Sequence, residues 1–361
     1  MSAALRSEFP VLERVAYLNT GSVGPTPRAA GEAAIEEVSA QVEGTSAGFA
    51  QFERQLELAE ELRRRAAGLL GADPAEVAVT GATTDGVNAV IGGLELGPGD
   101  EVLTSDEEHP GLLAPLAGAR ERRGISVRVV PFAELPGEVG PSTRLIACSH
   151  VSWHTGRVAD TEAIASAGAP VLLDGAQGLG AIPVDVRSLG CDFYAASGQK
   201  WMCGPIGSGY LYVRSDRVES LSPISPGYES LSDSLRALEL PLREGAARFD
   251  AGFPSSHHTA WALASMDVLA GVGMEYVLAR GPELAAGLAQ DLAGRGLTVA
   301  PRGPSTLVSW EAGDPEAEAK RLGGEGFVVR HLPGTPYVRA SVGAWSTEEE
   351  LDRLATSASS R

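Results

Sequence analysis

Between residues 76 and 213 the chain repeats one theme: a short apolar run, then a helical pattern or a glycine-containing turn. The runs are Glu76–Thr80, Glu101–Ser105, Val127–Phe132, Arg144–Cys148, Val171–Asp174, Phe193–Ala196 and Tyr210–Val213. Ala- and Leu-rich helices, such as Leu112–Arg123 and Thr161–Ala167, are expected between some of them. Near-continuous apolar strands have no polar face to offer water. They therefore predict an α/β fold with a mostly parallel seven-stranded sheet, covered on both faces. Functional groups in such sheets gather beyond the carboxyl ends of the strands.

Outside this region the pattern predicts helices over Arg28–Glu43 and Phe52–Leu70, the second stopped by Gly71. After Pro223 a Ser-, Pro- and Gly-containing loop runs to about Pro254. Helical stretches Thr259–Val268 and Met274–Leu292 follow. Strands Thr306–Trp310, Phe327–Arg330 and Tyr337–Ser341 and a helix capped by Ser346 or Thr347 complete a smaller α+β lobe. A length of 361 residues accommodates a large domain over about 16–250 and a small one from 1–15 and 251–361.

The net charge of −18, from 47 acidic against 29 basic residues, repels nucleic acid and anionic membranes. No basic-then-apolar leader is expected, and no apolar stretch is long enough to span a bilayer. Three cysteines without metal-ligand spacing, Cys148, Cys191 and Cys203, fit a reducing cytoplasm. The pair His257-His258 lacks spaced carboxylate or thiol partners, so no metal is expected.

Four segments carry chemistry, each after an apolar strand. The first ends on Asp174-Gly-Ala-Gln177. An acid there is costly without a cationic partner, although taken alone it is also an ordinary helix cap. The second, Ser197-Gly-Gln-Lys200-Trp-Met-Cys-Gly-Pro205, sets a lysine in an apolar, glycine-rich turn, where desolvation frees its amine to attack a carbonyl. Pyridoxal chemistry requires this pair: an imine-forming lysine, and an acid that keeps the pyridine nitrogen protonated. The third, Thr80-Gly-Ala-Thr-Thr-Asp-Gly-Val-Asn88, opens a helix with two hydroxyls and suits a phosphate, although taken alone it is ordinary capping chemistry. The fourth carries His109, whose flat neutral ring can stack on a pyridine and relay protons; alone it would read as a surface histidine.

In this order and at these separations, the segments resemble the class V aminotransferase family of fold type I pyridoxal-5′-phosphate (PLP) enzymes, which includes cysteine desulfurases and cystine C–S lyases. The similarity runs from Tyr17-Leu-Asn-Thr-Gly-Ser22 to Val338-Arg-Ala-Ser341. It implies that Lys200 carries the imine, Asp174 faces the pyridine nitrogen, Gln177 reaches the phenolic oxygen and His109 stacks on the ring. Thr83, Thr84, Ser197 and Gln199 would hold the phosphate. Arg339 would bind the substrate carboxylate, with Arg330 and Arg248 as the next candidates, and Trp153 and His154 would lie beside the substrate. It also implies a homodimer acting on a small amino acid.

The departures select among branches. Desulfurases carry a loop cysteine shortly before the Arg-Ala-Ser segment, and Val329-Arg-His-Leu-Pro-Gly-Thr-Pro336 has none. Gln199 replaces the family's histidine before the lysine. With Ser149-His-Val-Ser-Trp-His-Thr-Gly156, it resembles the cystine lyase branch, where His154 stands in place of an asparagine. Phe253 stands where the family has a threonine reaching the neighbouring subunit's phosphate, with Ser255 and Ser256 beside it. The expected reaction is β-elimination from cysteine or cystine. Transamination or epimerisation is the alternative, and a non-catalytic PLP-fold protein is the third reading.

Overall fold

The computed structural model describes residues 2–44, 48–250, 252 and 254–360, so the reading of Phe253 lies outside them. In chain order the helices are α1 (Ser2–Ser7), α2 (Arg28–Glu43), α3 (Phe49–Leu70), α4 (Thr83–Gly93), α5 (Pro110–Arg123), α6 (Thr161–Ala165) and α7 (Val186–Leu189). They continue with α8 (Ser256–Gly271), α9 (Met274–Gly294), α10 (Pro315–Gly324) and α11 (Glu348–Ser359). The strands are β1 (Ala16–Tyr17), β2 (Val77–Thr80), β3 (Glu101–Ser105), β4 (Ser126–Val130), β5 (Thr143–Ser149) and β6 (Val171–Asp174). After them come β7 (Phe193–Ser197), β8 (Gly209–Val213), β9 (Leu307–Glu311), β10 (Phe327–Val328), β11 (Arg330–His331) and β12 (Tyr337–Ser341).

All seven expected runs join one sheet, in the order β2-β8-β7-β6-β5-β3-β4. Only β8 runs antiparallel to its neighbours. Alternate residues of each strand bury into opposite cores, as continuous apolar runs require. Leu172, Phe193 and Leu211 pack beneath α4 and α5. Leu173, Tyr194 and Tyr210 pack towards α3 and α8 on the other face. A buried ion pair, Arg63 Nη2 to Asp250 Oδ2 at 2.6 Å, ties α3 to the chain leaving the sheet region; Asp250 also accepts from the Val79 N–H at 2.9 Å.

A three-stranded antiparallel sheet, β11-β12-β9, packs with α9, α10 and α11, and β1 pairs with β10. The expected strand Phe327–Arg330 is interrupted at Val329, so β10 and β11 pair with different partners. Thr347 caps α11 in a reciprocal capping box with Glu350. Among the described residues, the loop from 223 to 254 holds short turns of 3-10 helix and one isolated antiparallel bridge, Leu231 to Leu242. No single helix among the described residues is long and apolar enough to cross a membrane.

Candidate active site

Five strands of the large sheet end at one cavity of about 220 Å³. The turn after β2 contributes Ala82, Thr83 and Thr84, β3 leads to His109, β5 to Trp153, β6 to Asp174 and Gln177, and β7 to Ser197, Gln199 and Lys200. Strand β12 and its neighbour β11 close the opposite side with Arg339 and Arg330, and residues 21–22 cross between the two. The structure thus brings together every expected site residue except His154. That side chain packs on the Trp153 ring, centroids 4.4 Å apart, and does not line the cavity. Arg248 is also elsewhere, paired with Glu219 at 2.8 Å.

Asp174 is almost fully enclosed, and its Oδ1 accepts the Ala176 N–H at 2.9 Å. Burial raises its pKa above the usual carboxylate range, while the Lys200 charge and that N–H pull it back. Lys200 is pushed down to about 8, chiefly by burial, and the Arg339 and Arg330 charges add to the shift against Asp174. An amine with that value is available for attack near neutrality.

His109 caps α5, its Nδ1 accepting the Gly111 N–H at 3.0 Å, which leaves the ring proton on Nε2. Burial first, then the charges of Lys200, Arg330 and Arg339, push it down to about 4, so the ring is neutral. Trp153 meets it edge-on at 5.0 Å. The Gln177 amide is fixed in one orientation. Its Oε1 accepts the Trp201 indole N–H at 2.9 Å, and its Nε2 donates to the Gly21 carbonyl at 2.8 Å, keeping a second N–H.

Several polar groups here have no partner among the described residues. The Thr83 and Ser197 hydroxyls, Gln199 Oε1, the Trp153 indole N–H and two guanidinium nitrogens of Arg339, Nε and Nη2, are buried and unpaired. Arg339 is 1% exposed and spends only Nη1, on the Trp153 carbonyl at 2.8 Å. Burial, then Arg330, pushes it down to about 9. Such atoms ordinarily cost about 1–3 kcal/mol each when left unmade, so their clustering in one cavity marks a place for a polar ligand.

The family model described as Aminotransferase class-V matches residues 17–354. The chain belongs to this family. It is therefore a PLP-dependent enzyme of fold type I. The chain is 33% identical to a probable cysteine desulfurase of Methanothermobacter thermautotrophicus over 261 residues, 69% of this chain and 65% of that protein. It is 31% identical to isopenicillin N epimerase of Streptomyces clavuligerus over 389 residues, 94% of this chain and 93% of that one. The cystine C–S lyase C-DES, in complex with its product cysteine persulfide, is similar in structure with a TM-score of 0.92 at 28% identity, covering 98% and 99% of the two chains. A lysine mutant of C-DES with glycine covalently linked to the PLP cofactor gives 0.93 at the same identity and coverage.

The unpaired atoms fit a class V cofactor. Hydroxyls and first-turn N–H groups at the start of α4 suit a phosphate. An acid and an amine face each other, with a free amide N–H beside them.

Sequence reasoning missed three contributors. Trp201 orients Gln177 and read as part of the lysine turn. Glu108 accepts from the Ser105 hydroxyl and from Ser149 N–H and Oγ, at 2.8 and 2.6 Å, tying the turn before His109 to the end of β5. Burial pushes it up to about 7. Ser22 hydrogen-bonds Arg330 at 2.9 Å. Only Glu108, an acid in the short turn after β3, offered a local signal.

Proposed function

We propose that the protein eliminates the β-sulfur of cystine or cysteine with PLP, without a cysteine of its own. The carrying observation is the cavity wall, which contains no thiol among the described residues, and the stretch 329–336 adds none. Cys148, Cys191 and Cys203 are all buried; burial pushes the Cys191 thiol up to about 12 and raises the other two. A thiol held protonated is a poor acceptor for sulfur. The likeness to C-DES, a cystine C–S lyase, supports the same choice.

In this reading Lys200 holds the cofactor through Nζ. Asp174 would keep the pyridine nitrogen protonated, Gln177 would offer its remaining N–H to the phenolic oxygen, and the neutral His109 ring would pack against the cofactor. Thr83, Thr84, Ser197 and Gln199 take the phosphate. When bound, the cofactor supplies an electron sink for negative charge at Cα. Arg339 offers its Nε–Nη2 edge to the α-carboxylate and so fixes which Cα bond is presented for cleavage. Lys200 Nζ, its pKa lowered to about 8 by burial, would be the base that takes the Cα proton. The sulfur leaves with its electron pair, and water completes the conversion of the three-carbon remainder to pyruvate and ammonia. Trp153 shields this chemistry from solvent.

The same reading places the site between a large lobe, 16–250, and a small one, 1–15 with 251–361, in a cytoplasmic homodimer. Exposed Ile35, Val42 and Phe49 on α2 and α3, and Leu235 and Leu238 in the 223–254 loop, support a partner surface.

The test is the pure holoenzyme given single amino acids, with pyruvate, sulfide and keto acids assayed together. Pyruvate from cystine or cysteine is expected. The likeness to isopenicillin N epimerase favours a second reading, epimerisation, which shares the proton removal at Cα. Loss of optical activity and Cα-deuterium exchange without pyruvate would select it.

A further inference from the structure

The turn that carries Lys200 is fastened from a helix that the proposed function does not use. After Gly198 the chain reverses through Lys200-Trp-Met-Cys203. Gly204 N–H closes the turn on the Gly198 carbonyl at 2.9 Å, and Cys203 N–H closes it on the Lys200 carbonyl at 3.1 Å. Cys203 adopts φ of 55°, in the left-handed region. A Cβ there is pressed against the carbonyl oxygen that follows, so glycine is the ordinary occupant. Gly198 and Gly204 stand in the same turn, yet the left-handed position falls to neither.

What holds Cys203 comes from α8. Its carbonyl accepts two side-chain donors, the Trp261 indole N–H at 3.1 Å and the Ser265 hydroxyl at 2.9 Å, which fills both lone pairs. Trp261 and Ser265 are four residues apart and so share one face of the helix. A serine or threonine inside a helix can turn its hydroxyl back on the carbonyl four residues earlier, as Thr259 does to Ser255 at 3.1 Å. Ser265 is fully buried and spends its hydroxyl on the lysine turn instead. Ahead of the lysine, Gly24 N–H donates to the Gln199 carbonyl at 2.8 Å, and a Cβ on Gly24 would run into the Lys200 carbonyl. The turn is thus gripped by backbone before Lys200 and by two α8 side chains after it.

We infer that Trp261 and Ser265 are positioning residues for Lys200, holding Cys203 in its left-handed conformation and with it the approach of the lysine amine to the cofactor aldehyde. This rests on Lys200 as the cofactor lysine, and not on which substrate bond is broken. The Cys203 thiol takes no part; the main-chain carbonyl does.

The test follows covalent capture of PLP by the cofactor-free protein, in which the Lys200 amine joins the aldehyde carbon and water leaves. Borohydride fixation and peptide mapping identify the lysine. S265A and W261F should each slow capture about 3- to 10-fold, and the double variant about 10- to 100-fold, because small misplacements of a reacting group are costly. Pyridoxamine phosphate has no aldehyde and forms no bond with lysine, so its affinity should be unchanged. C203G supplies a residue that takes the left-handed conformation without steric cost. Added to the double variant, it should win back part of the lost rate. A loss that came only from packing would deepen instead, since C203G removes a buried side chain. Capture at the parent rate in the double variant, pyridoxamine phosphate binding that falls in step with capture, or no recovery with C203G would each overturn the inference. Label on Lys320 in the parent would remove the lysine assignment itself, and is seen before any variant is made.

Discussion

One wall of the cavity is made by five carboxyl ends of the large sheet, the other by β11, β12 and the segment around Gly21 and Ser22. On the first wall charge is balanced within the protein, with Asp174 set against Lys200. On the second, Arg330 and Arg339 stand together without an acid, and two nitrogens of Arg339 are unpaired. The first wall is electrostatically complete before substrate arrives, while the second is completed only by an anion. Cofactor retention and substrate recognition should therefore separate under mutation.

The largest effect is expected on the first wall. Lys200→Ala should lower turnover by about 10,000-fold or more, since it removes both the covalent anchor and the base, while phosphate contacts still hold some PLP. The chain has one other lysine, the exposed Lys320, so borohydride fixation followed by peptide mapping gives a two-way answer. Label on Lys320 would dissolve the distinction between the walls.

Arg339→Ala tests the second wall. Leaving a bound carboxylate unpaired costs on the order of 2–4 kcal/mol, or roughly 30- to 1000-fold in kcat/KM. The cofactor absorption should be unchanged. Arg339→Lys keeps the charge but not the fork and should stay clearly impaired. Amines lacking the carboxylate should lose little, and equal losses for amines and amino acids would make Arg339 structural.

A third effect is read by pH. With Lys200 near 8, the free amine is the minor form below that value and the major form above it. Covalent capture of PLP by the cofactor-free protein should accelerate about tenfold per pH unit up to roughly pH 8 and then level off. A rate that keeps climbing to pH 10 would mean that the cavity leaves Lys200 unperturbed.

The smallest effect should come from the cysteines, which belong to neither wall. Replacing Cys148, Cys191 or Cys203 with Ala should leave activity within about threefold, apart from packing losses. Cys203 is the sensitive case, being buried after Lys200 with φ of 55°. A C203A protein that folds and binds PLP but is dead, with persulfide trapped on Cys203 in the parent, would restore a desulfurase mechanism.

The first wall was largely legible in the sequence because its residues lie at the end of an apolar strand or in the short turn that follows it. Asp174 and Lys200 could be paired from the residues alone, since parallel strands deliver their carboxyl ends to one side. Arg339 was legible only through the family resemblance, because nothing within Tyr337–Ser341 shows what lies opposite it. His154 was misplaced for a related reason. The turn after β5 aims Trp153 at the cavity and leaves the next side chain behind it. Helix α10 went unread because Glu316, Glu318, Lys320 and Arg321 give it little apolar pattern; its start depends on the Asp314 cap. The roles of Ser22 and Trp201 depend on approaches between distant segments, which no local pattern encodes, and Glu108 left only the trace of an acid in the turn after β3.

The segment from Leu18 to Gly24 stitches both walls. The Leu18 carbonyl accepts from Ser341 N–H, the Gly21 carbonyl takes the Gln177 amide, Ser22 holds Arg330, and Gly24 N–H donates to the Gln199 carbonyl. A Cβ on Gly21 would come within 2.8 Å of Ser341 Oγ and 3.0 Å of Arg339 Nη2, so this thread runs as close as backbone allows. Ser22 and its partner Arg330 are 308 residues apart in the chain. At translation rates of about 5–20 residues per second, the thread waits roughly 15–60 s for its last partners. All seven strands of the large sheet precede Arg330 in the chain, so the cofactor wall can form before the substrate wall is closed.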